Sequence, residues 1–414
     1  MLVELAASLT VATPAARLPS LNPMAEAFPQ REKIRILWLL GSETVDPAAP
    51  RANGVEVLFG RMAPVIERER FEVSVAYPEY GPMAHAFDEA GCRRVPFHAR
   101  WNLHPALALD IERMVRTLRP HVVHSNSGPR DLFIAGVCRL YGAAHLTTRH
   151  VLYDDMAVER WRIAAYKGID HICFRIGTHI AAIAEYGRRA LVERDGFDPA
   201  RVHLVRNGHP LPSEADLLTQ EEARRQLGVE TNAPVIGMAG RLVRHKGAHV
   251  LLEAAARLSH EFPRLLMLVA GSGPEKDVLE QQALSLGLGS AVRFLGFVRN
   301  MGLFFDALDC FVLPSLGAEG VPNVLCEALG RRRPCVASAV QGVPEVVVDG
   351  TCGLLVPPGD PEALAQAIGR VLRNRAMAEA WGEAGRRWVA ERFSLEGMAR
   401  AYEALYEKLA MKGA

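Results

Sequence analysis

Short apolar runs separated by longer amphipathic stretches recur along the chain. That alternation predicts strand then helix, the pattern of a parallel sheet covered on both faces. In the first half the expected strands are Ile34 to Leu40, Glu72 to Ala76, His121 to Ser125, His145 to Arg149, His179 to Ala182 and Val202 to Val205. Amphipathic segments such as Val55 to Arg68 and Pro105 to Leu118 intervene. After Pro234 the pattern resumes, with strands at 235–239, 265–270, 292–295, 310–313, 334–337 and 353–356. Between the halves, Arg206-Asn207-Gly208-His209-Pro210-Leu211-Pro212 is dense in turn residues and marks a linker. The predicted fold class is α/β, with two Rossmann-like doubly wound domains facing a central cleft. Their expected extents are 33–207 and 234–393, joined by a linker at 208–233 and preceded by a flexible extension over 1–32.

The candidate chemistry begins at Glu319-Gly320-Val321-Pro322-Asn323-Val324-Leu325-Cys326-Glu327. Gly320 permits a tight turn, Pro322 suits the first helical position, and Val324, Leu325, Ala328 and Leu329 give an apolar helical face. Glu319 then lies in the loop and Glu327 within the helix. Backbone N–H groups at 321–324 would lack helical partners and form a cradle for a diphosphate. Two glutamates near a helix start often only favour the dipole and face water. A second constellation shifts that balance: Gly240-Arg241-Leu242-Val243-Arg244-His245-Lys246-Gly247 directly follows the apolar run Val235 to Ala239 and leads into a helix, Ala248 to Leu258. Arg241 and Lys246 would sit at the carboxyl edge of a parallel sheet, where open α/β folds bind ligands, and could neutralise both phosphates.

These two motifs resemble those of glycosyltransferase family 4, the retaining enzymes with the GT-B fold. Further pieces match in order. Val269-Ala270-Gly271-Ser272-Gly273-Pro274-Glu275 resembles the family's strand and glycine-rich turn, although the family often carries an acidic residue at the position of Ser272. Val292 to Val298 resembles its base-binding strand, and Phe311-Val312-Leu313-Pro314-Ser315, Gly342-Val343-Pro344-Glu345-Val346-Val347 and Gly353 to Asp360 follow. The resemblance implies that Arg241 and Lys246 bind the donor diphosphate, Glu327 the ribose hydroxyls, and Glu319 the donor sugar. It implies that the backbone at Phe297 and Val298 reads the base, and that Gly240, Gly271, Ser272, Gly320, Val321, Pro322 and Asn323 line the nucleotide pocket. Asn53-Gly54-Val55-Glu56 resembles the family's glycine-rich loop, with Asn53 in place of one glycine and Gly54 near the phosphate. His150 matches a family histidine near the donor sugar. His124, also expected at a strand end, is read as a structural hydrogen-bonder. Helix 394–412 is expected to return to the first domain, with Trp388, Phe393, Tyr402 and Tyr406 as packing anchors.

By this resemblance the chain is a metal-independent enzyme that needs no cofactor. It would move a hexosyl group with retention from a nucleoside-diphosphate sugar, UDP by family habit, to a glycan or lipid-linked acceptor in envelope polysaccharide or lipopolysaccharide synthesis. No Asp-x-Asp triplet occurs, and Asp154-Asp155 reads as a solvated helix start. A sugar-nucleotide epimerase and a nonenzymatic nucleotide-sugar sensor are the rival classes.

Composition agrees with this reading and would not have suggested it. The chain has 414 residues, 49% hydrophobic, and a formal net charge of +1, which gives no basic field for nucleic acid. Seven cysteines without a Cys-x-x-Cys pair suit buried thiols in a reducing, cytoplasmic setting. The first residues do not read as a signal peptide, and Met24 is an alternative start. Arg93-Arg94, Phe97 to Trp101, and Trp161, Arg162, Tyr166 and Lys167 are candidates for peripheral contact with the inner membrane. A solvated face with buried aromatics is the preferred reading there. Arg331-Arg332-Arg333 reads as a helix end favoured by cations.

Overall fold

The computed structural model describes residues 32–40, 54–78, 81–97, 105–126, 128–150, 152–155 and 159–413. The expected extension up to residue 31, Asn53, and His98-Ala99-Arg100-Trp101 lie outside them.

Thirteen strands form two all-parallel sheets among the described residues. The first holds β1 Ile34–Leu39, β2 Phe71–Tyr77, β3 Arg93–Pro96, β4 Val122–Ser125, β5 Ala144–Arg149, β6 His179–Ala182 and β7 Val202–Leu204, in the order β3-β2-β1-β4-β5-β6-β7. The second holds β8 Val235–Ala239, β9 Leu266–Ala270, β10 Val292–Gly296, β11 Cys310–Leu313, β12 Cys335–Ser338 and β13 Gly353–Val356, in the order β10-β9-β8-β11-β12-β13. Every expected strand is present to within one residue at each end. Most of the runs were legible because their strands are buried on both faces; β8 and β9 are buried at all five positions. One strand was missed. β3 is an edge strand whose Arg93 and Arg94 are exposed and half-buried, so it carries no apolar run, and Arg94 grips Asp88 in a bidentate pair instead of facing a membrane.

Each sheet has a switch point where the strand order reverses, between β1 and β4 and between β8 and β11. Ligands of doubly wound sheets bind in the crevice beyond the strand ends at that point. The final helix, Leu395–Gly413, leaves the second sheet and joins the core around β1 and β2, with Tyr402 and Tyr406 fully buried there. Buried hydrogen bonds fix it: Trp38 Nε1 donates to the Tyr406 hydroxyl at 3.0 Å, and the Thr148 hydroxyl meets that of Tyr402 at 2.9 Å. Its entry runs beside the linker, where the His209 N–H donates to the Phe393 carbonyl at 2.8 Å. All seven cysteines are buried and free. No described helix is long and apolar enough to cross a membrane.

Candidate active site

The loop after β8 and the loop after β11 are neighbours because their strands pair directly, Cys310 beside Ile236. They touch closely enough to dictate residue type. A Cβ on Gly247, whose φ is +72°, would stand 1.9 Å from the Pro314 carbonyl oxygen. On Gly271, at φ +131°, it would stand 1.8 Å from the carbonyl oxygen of Gly240. Glycine is therefore required for the three strand-end turns to pack as one rim. Hydrogen bonds stitch this rim together, Leu242 N–H to the Ser272 carbonyl at 3.0 Å and Leu316 N–H to the His245 carbonyl at 2.7 Å.

The cations named from the sequence stand on this rim in different states. Arg241 is exposed and forms no ion pair among the described residues. Lys246 closes a single 3-10 turn, Arg244–Lys246, and its Nζ donates to Glu319 Oε1 at 2.6 Å. Glu319 is 5% exposed and also accepts from the Ser315 hydroxyl. The Glu319 N–H is held by the side-chain carbonyl of Gln341, and the Gly342 N–H donates back to the Glu319 carbonyl at 3.2 Å. Ala318 at φ +58° and Gln341 at φ +44° flank this carboxylate, both left-handed without being glycine. Such backbone persists only where surrounding contacts over-determine it. Ser315 and Gln341 were not singled out from the sequence. Ser315 lies four residues before Glu319 on the same loop, whereas Gln341 reaches Glu319 only because the β11 and β12 loops meet.

The helix beyond Glu319 spans Asn323–Gly330, with Pro322 as its N-cap at ψ +109°. Pro322 thus stands one place before the first helical position expected for it, because its extended ψ lets Leu325 N–H close the first turn onto its carbonyl at 3.0 Å. Asn323 and Val324 begin the helix, so their N–H groups have no preceding turn to bond. Glu327 lies one turn further in, below Asn323, and its carboxylate has no hydrogen-bond partner among the described residues. Burial raises its pKa above the usual carboxylate value, opposed by Arg61 and Arg331. On the same edge Ser272 is exposed, Phe297 is 81% exposed, and Val298 packs on the core. Gly54, exposed, opens the helix Gly54–Met62 of the first domain, where Glu56 is buried and accepts from the Tyr77 hydroxyl at 3.0 Å.

His150 follows β5 and closes the gap between the domains. Its carbonyl oxygen lies 3.1 Å from where a Gly320 Cβ would be, and His150, Arg149, Glu319 and Gly320 line one cavity of about 20 Å³. Burial, and then the Arg149 guanidinium, push its pKa down to about 4, so the ring is neutral near pH 7. Its Nε2 lies 3.0 Å from Asn126 Oδ1. His124 is elsewhere. It is wholly buried, with Nδ1 2.7 Å from the Tyr406 hydroxyl and Nε2 2.7 Å from the Thr148 hydroxyl, a structural position under the final helix. A second contact across the domains is made by Glu345, whose carboxylate accepts the N–H groups of Glu185 and Tyr186 at 2.9 and 2.8 Å and caps the helix Glu185–Arg189.

Other charged candidates are occupied. Asp154 starts no solvated helix. It lies in a 3-10 turn, Tyr153–Asp155, and pairs with Lys167 at 2.7 Å and with Arg194. Lys167 is thereby withdrawn from any headgroup layer, also binding Asp195 at 3.0 Å. Trp161 does remain exposed, with Arg162 5.6 Å from its ring centroid. Arg331 and Arg332 answer side chains more than a helix dipole, binding Asp306 and Glu214. Arg332 and Arg333 line a cavity of about 1320 Å³, which none of Arg241, Lys246, Glu319 or Glu327 lines. It lies at the opposite edge of the second sheet.

Residues 52–211 match the family described as Glycosyltransferase Family 4, and residues 219–388 match Glycosyl transferases group 1. A D-inositol 3-phosphate glycosyltransferase of Corynebacterium urealyticum is 38% identical over 52% of this chain and 53% of its own length. An alpha-maltose-1-phosphate synthase of Mycolicibacterium smegmatis is 30% identical over 73% of this chain and 83% of its own. The chain spans about half the length of the first curated relatives it matches. The Anabaena protein Alr3699/HepE, solved in complex with UDP, superimposes with a TM-score of 0.76 at 21% identity, over 90% of this chain and all of that one.

Proposed function

The chain belongs to glycosyltransferase family 4 with the GT-B fold, and from that premise we propose that it transfers a hexosyl group, with retention, from a UDP-sugar to a glycan or lipid-linked acceptor of the cell envelope. The observation that carries the reading is the rim of the second sheet, where Arg241, unpaired among the described residues, the Lys246–Glu319 pair, a helix N-terminus and the carboxylate of Glu327 converge on one switch point. An unpaired guanidinium and an ammonium with two spare protons suit the two phosphates, and a carboxylate without a partner suits a ribose diol. The UDP bound by Alr3699/HepE favours uridine as the base.

In the proposed step the bond from sugar C1 to the leaving phosphate oxygen breaks, and charge builds on that phosphate. Arg241, Lys246 and the N–H groups at the helix start stabilise it without reorganising. The acceptor oxygen bonds to C1 on the face the phosphate leaves, and the acceptor proton passes to the departing phosphate oxygen. No nucleophilic side chain is required. The cations take the place a divalent metal would otherwise fill, so the reaction proceeds in chelator. Neutral His150 and Glu319 meet the sugar where the two domains come together. The acceptor is assigned by class alone, since one relative is named for an inositol phosphate and the other for the maltose 1-phosphate it makes.

Calorimetric titration with UDP, GDP and ADP, with and without EDTA, tests the pocket. The expected result is selective, EDTA-insensitive UDP binding that Glu327→Ala weakens. No diphosphate binding at all refutes the reading. Anomer analysis of the product by NMR tests retention, and incubation with donor alone distinguishes transfer from epimerisation.

A further inference from the structure

Around β4 and β5 many polar side chains satisfy one another, whereas the Asn126 Nδ2 and the Nε and Nη1 of Arg149 are buried with no partner among the described residues. The Ser125 hydroxyl donates to Asp131 Oδ1 at 2.7 Å and lies 3.0 Å from His145 Nε2. The Thr147 hydroxyl donates to Asp131 Oδ2 at 2.7 Å, and His145 Nδ1 lies 2.9 Å from the Thr178 hydroxyl. His124 is held by Tyr406 and Thr148. Asn126, immediately after β4, is different. Its Oδ1 lies 3.0 Å from His150 Nε2, while its Nδ2 is buried and has no partner among the described residues.

Rotating the amide by half a turn does not remove the problem. His150 offers a single ring nitrogen to Asn126, so either the amide nitrogen or the amide oxygen is left buried and unpaired. An unmet polar group costs free energy unless something else meets it. The position of this one indicates what. It stands at the switch-point side of the first sheet, beside the histidine whose carbonyl abuts Gly320 and whose residue lines a cavity with Glu319.

We propose that Asn126 is a positioning and specificity residue for the donor sugar: one half of its amide fixes the tautomer and orientation of His150, and the other half binds a hydroxyl of the hexose. A hydroxyl both donates and accepts, so it satisfies the free half in either amide orientation. With His150 neutral, the nitrogen engaged by Asn126 decides which ring nitrogen carries hydrogen and which faces the sugar. The inference rests on the glycosyltransferase reading.

The test uses Asn126→Ala and Asn126→Asp in the full chain. Histidine side-chain NMR, with the His150 signal assigned by its loss in His150→Gln, reports the tautomer directly. The wild type is expected to show one tautomer and Asn126→Ala a mixture. Asn126→Asp keeps an acceptor and adds an anion, so it restores a single tautomer and raises the His150 pKa by at least about one unit. Binding of UDP and of UDP-glucose, UDP-galactose and UDP-N-acetylglucosamine completes the test. Asn126→Ala should leave UDP affinity within about twofold and weaken the tightest UDP-sugar about tenfold. An unchanged His150 tautomer in Asn126→Ala overturns the inference, as does a UDP-sugar affinity that falls only in step with that of UDP. If UDP itself fails to bind the wild type, the functional reading fails first, and the two failures are distinguishable.

Discussion

Replacing Lys246 with Met separates what the Lys246–Glu319 pair does for the fold from what it does for chemistry. Glu319 is 5% exposed and Lys246 23% exposed, so removing the ammonium leaves a nearly buried carboxylate with Ser315 as its remaining side-chain donor. Breaking a fully buried pair from one side costs about 3–5 kcal/mol. Because Lys246 keeps part of its solvent contact, the expected loss is about 2–3 kcal/mol, which lowers the melting temperature of a domain this size by roughly 5–10 °C. Lys246→Met/Glu319→Gln removes both charges and keeps the Ser315 contact, so most of the stability should return. Activity should not. Loss of one preorganised cation at the leaving phosphate costs about 10²–10³ in kcat, and restoring neutrality does not replace it. Differential scanning calorimetry and donor turnover on the two single variants and the double variant complete the cycle. A single variant that melts within 1 °C of wild type, or a double variant that regains turnover, refutes the reasoning.

Arg241 offers the contrast. Because Arg241 is exposed and unpaired among the described residues, Arg241→Ala should leave the melting temperature unchanged while turnover falls about 10²-fold; a matching loss of stability would contradict its place on the rim. His150 and His209 are both pushed down to about 4 by burial, so the unfolded chain binds more protons than the folded one from the ordinary histidine value down to about 4. Stability should therefore fall as pH drops through that window, and His209→Gln should flatten the urea midpoint between pH 7 and 5. Glu345→Ala removes a carboxylate that receives two backbone N–H groups from the other domain. It should cost about 1 kcal/mol and widen the interdomain cleft in solution scattering, with UDP affinity retained; an unchanged scattering profile would show that Glu345 does not hold the domains together.

Much of the architecture was legible because buried parallel strands read as continuous apolar runs, and twelve of the thirteen strands, in two sets, carry such a run. β3 escaped because an edge strand need bury only one side. The helix Gly54–Met62 ended earlier than the amphipathic stretch to Arg68 suggested, since Ile66 reaches the core from a turn after the helix stops. At the site, the two motifs named the cations and glutamates by type and spacing, and motif chemistry is local. Nothing local distinguishes Lys246, which is paired, from Arg241, which has no ion pair among the described residues.

What the sequence by itself determined is the order of strands and helices, the glycines that a close approach requires, and the residue types on the rim of the second sheet. The tertiary structure decided which of those groups meet. Ser315 and Gln341 reach Glu319, Glu345 reaches a helix of the other domain, and Asn126 rather than His124 reaches His150. Apart from Ser315, which lies four residues before Glu319 on the same loop, these contacts join strand ends that are neighbours in a sheet or across a cleft and distant along the chain. Periodicity and propensity act over a few residues, whereas hydrogen bonds between loops depend on how whole strands are ordered in space.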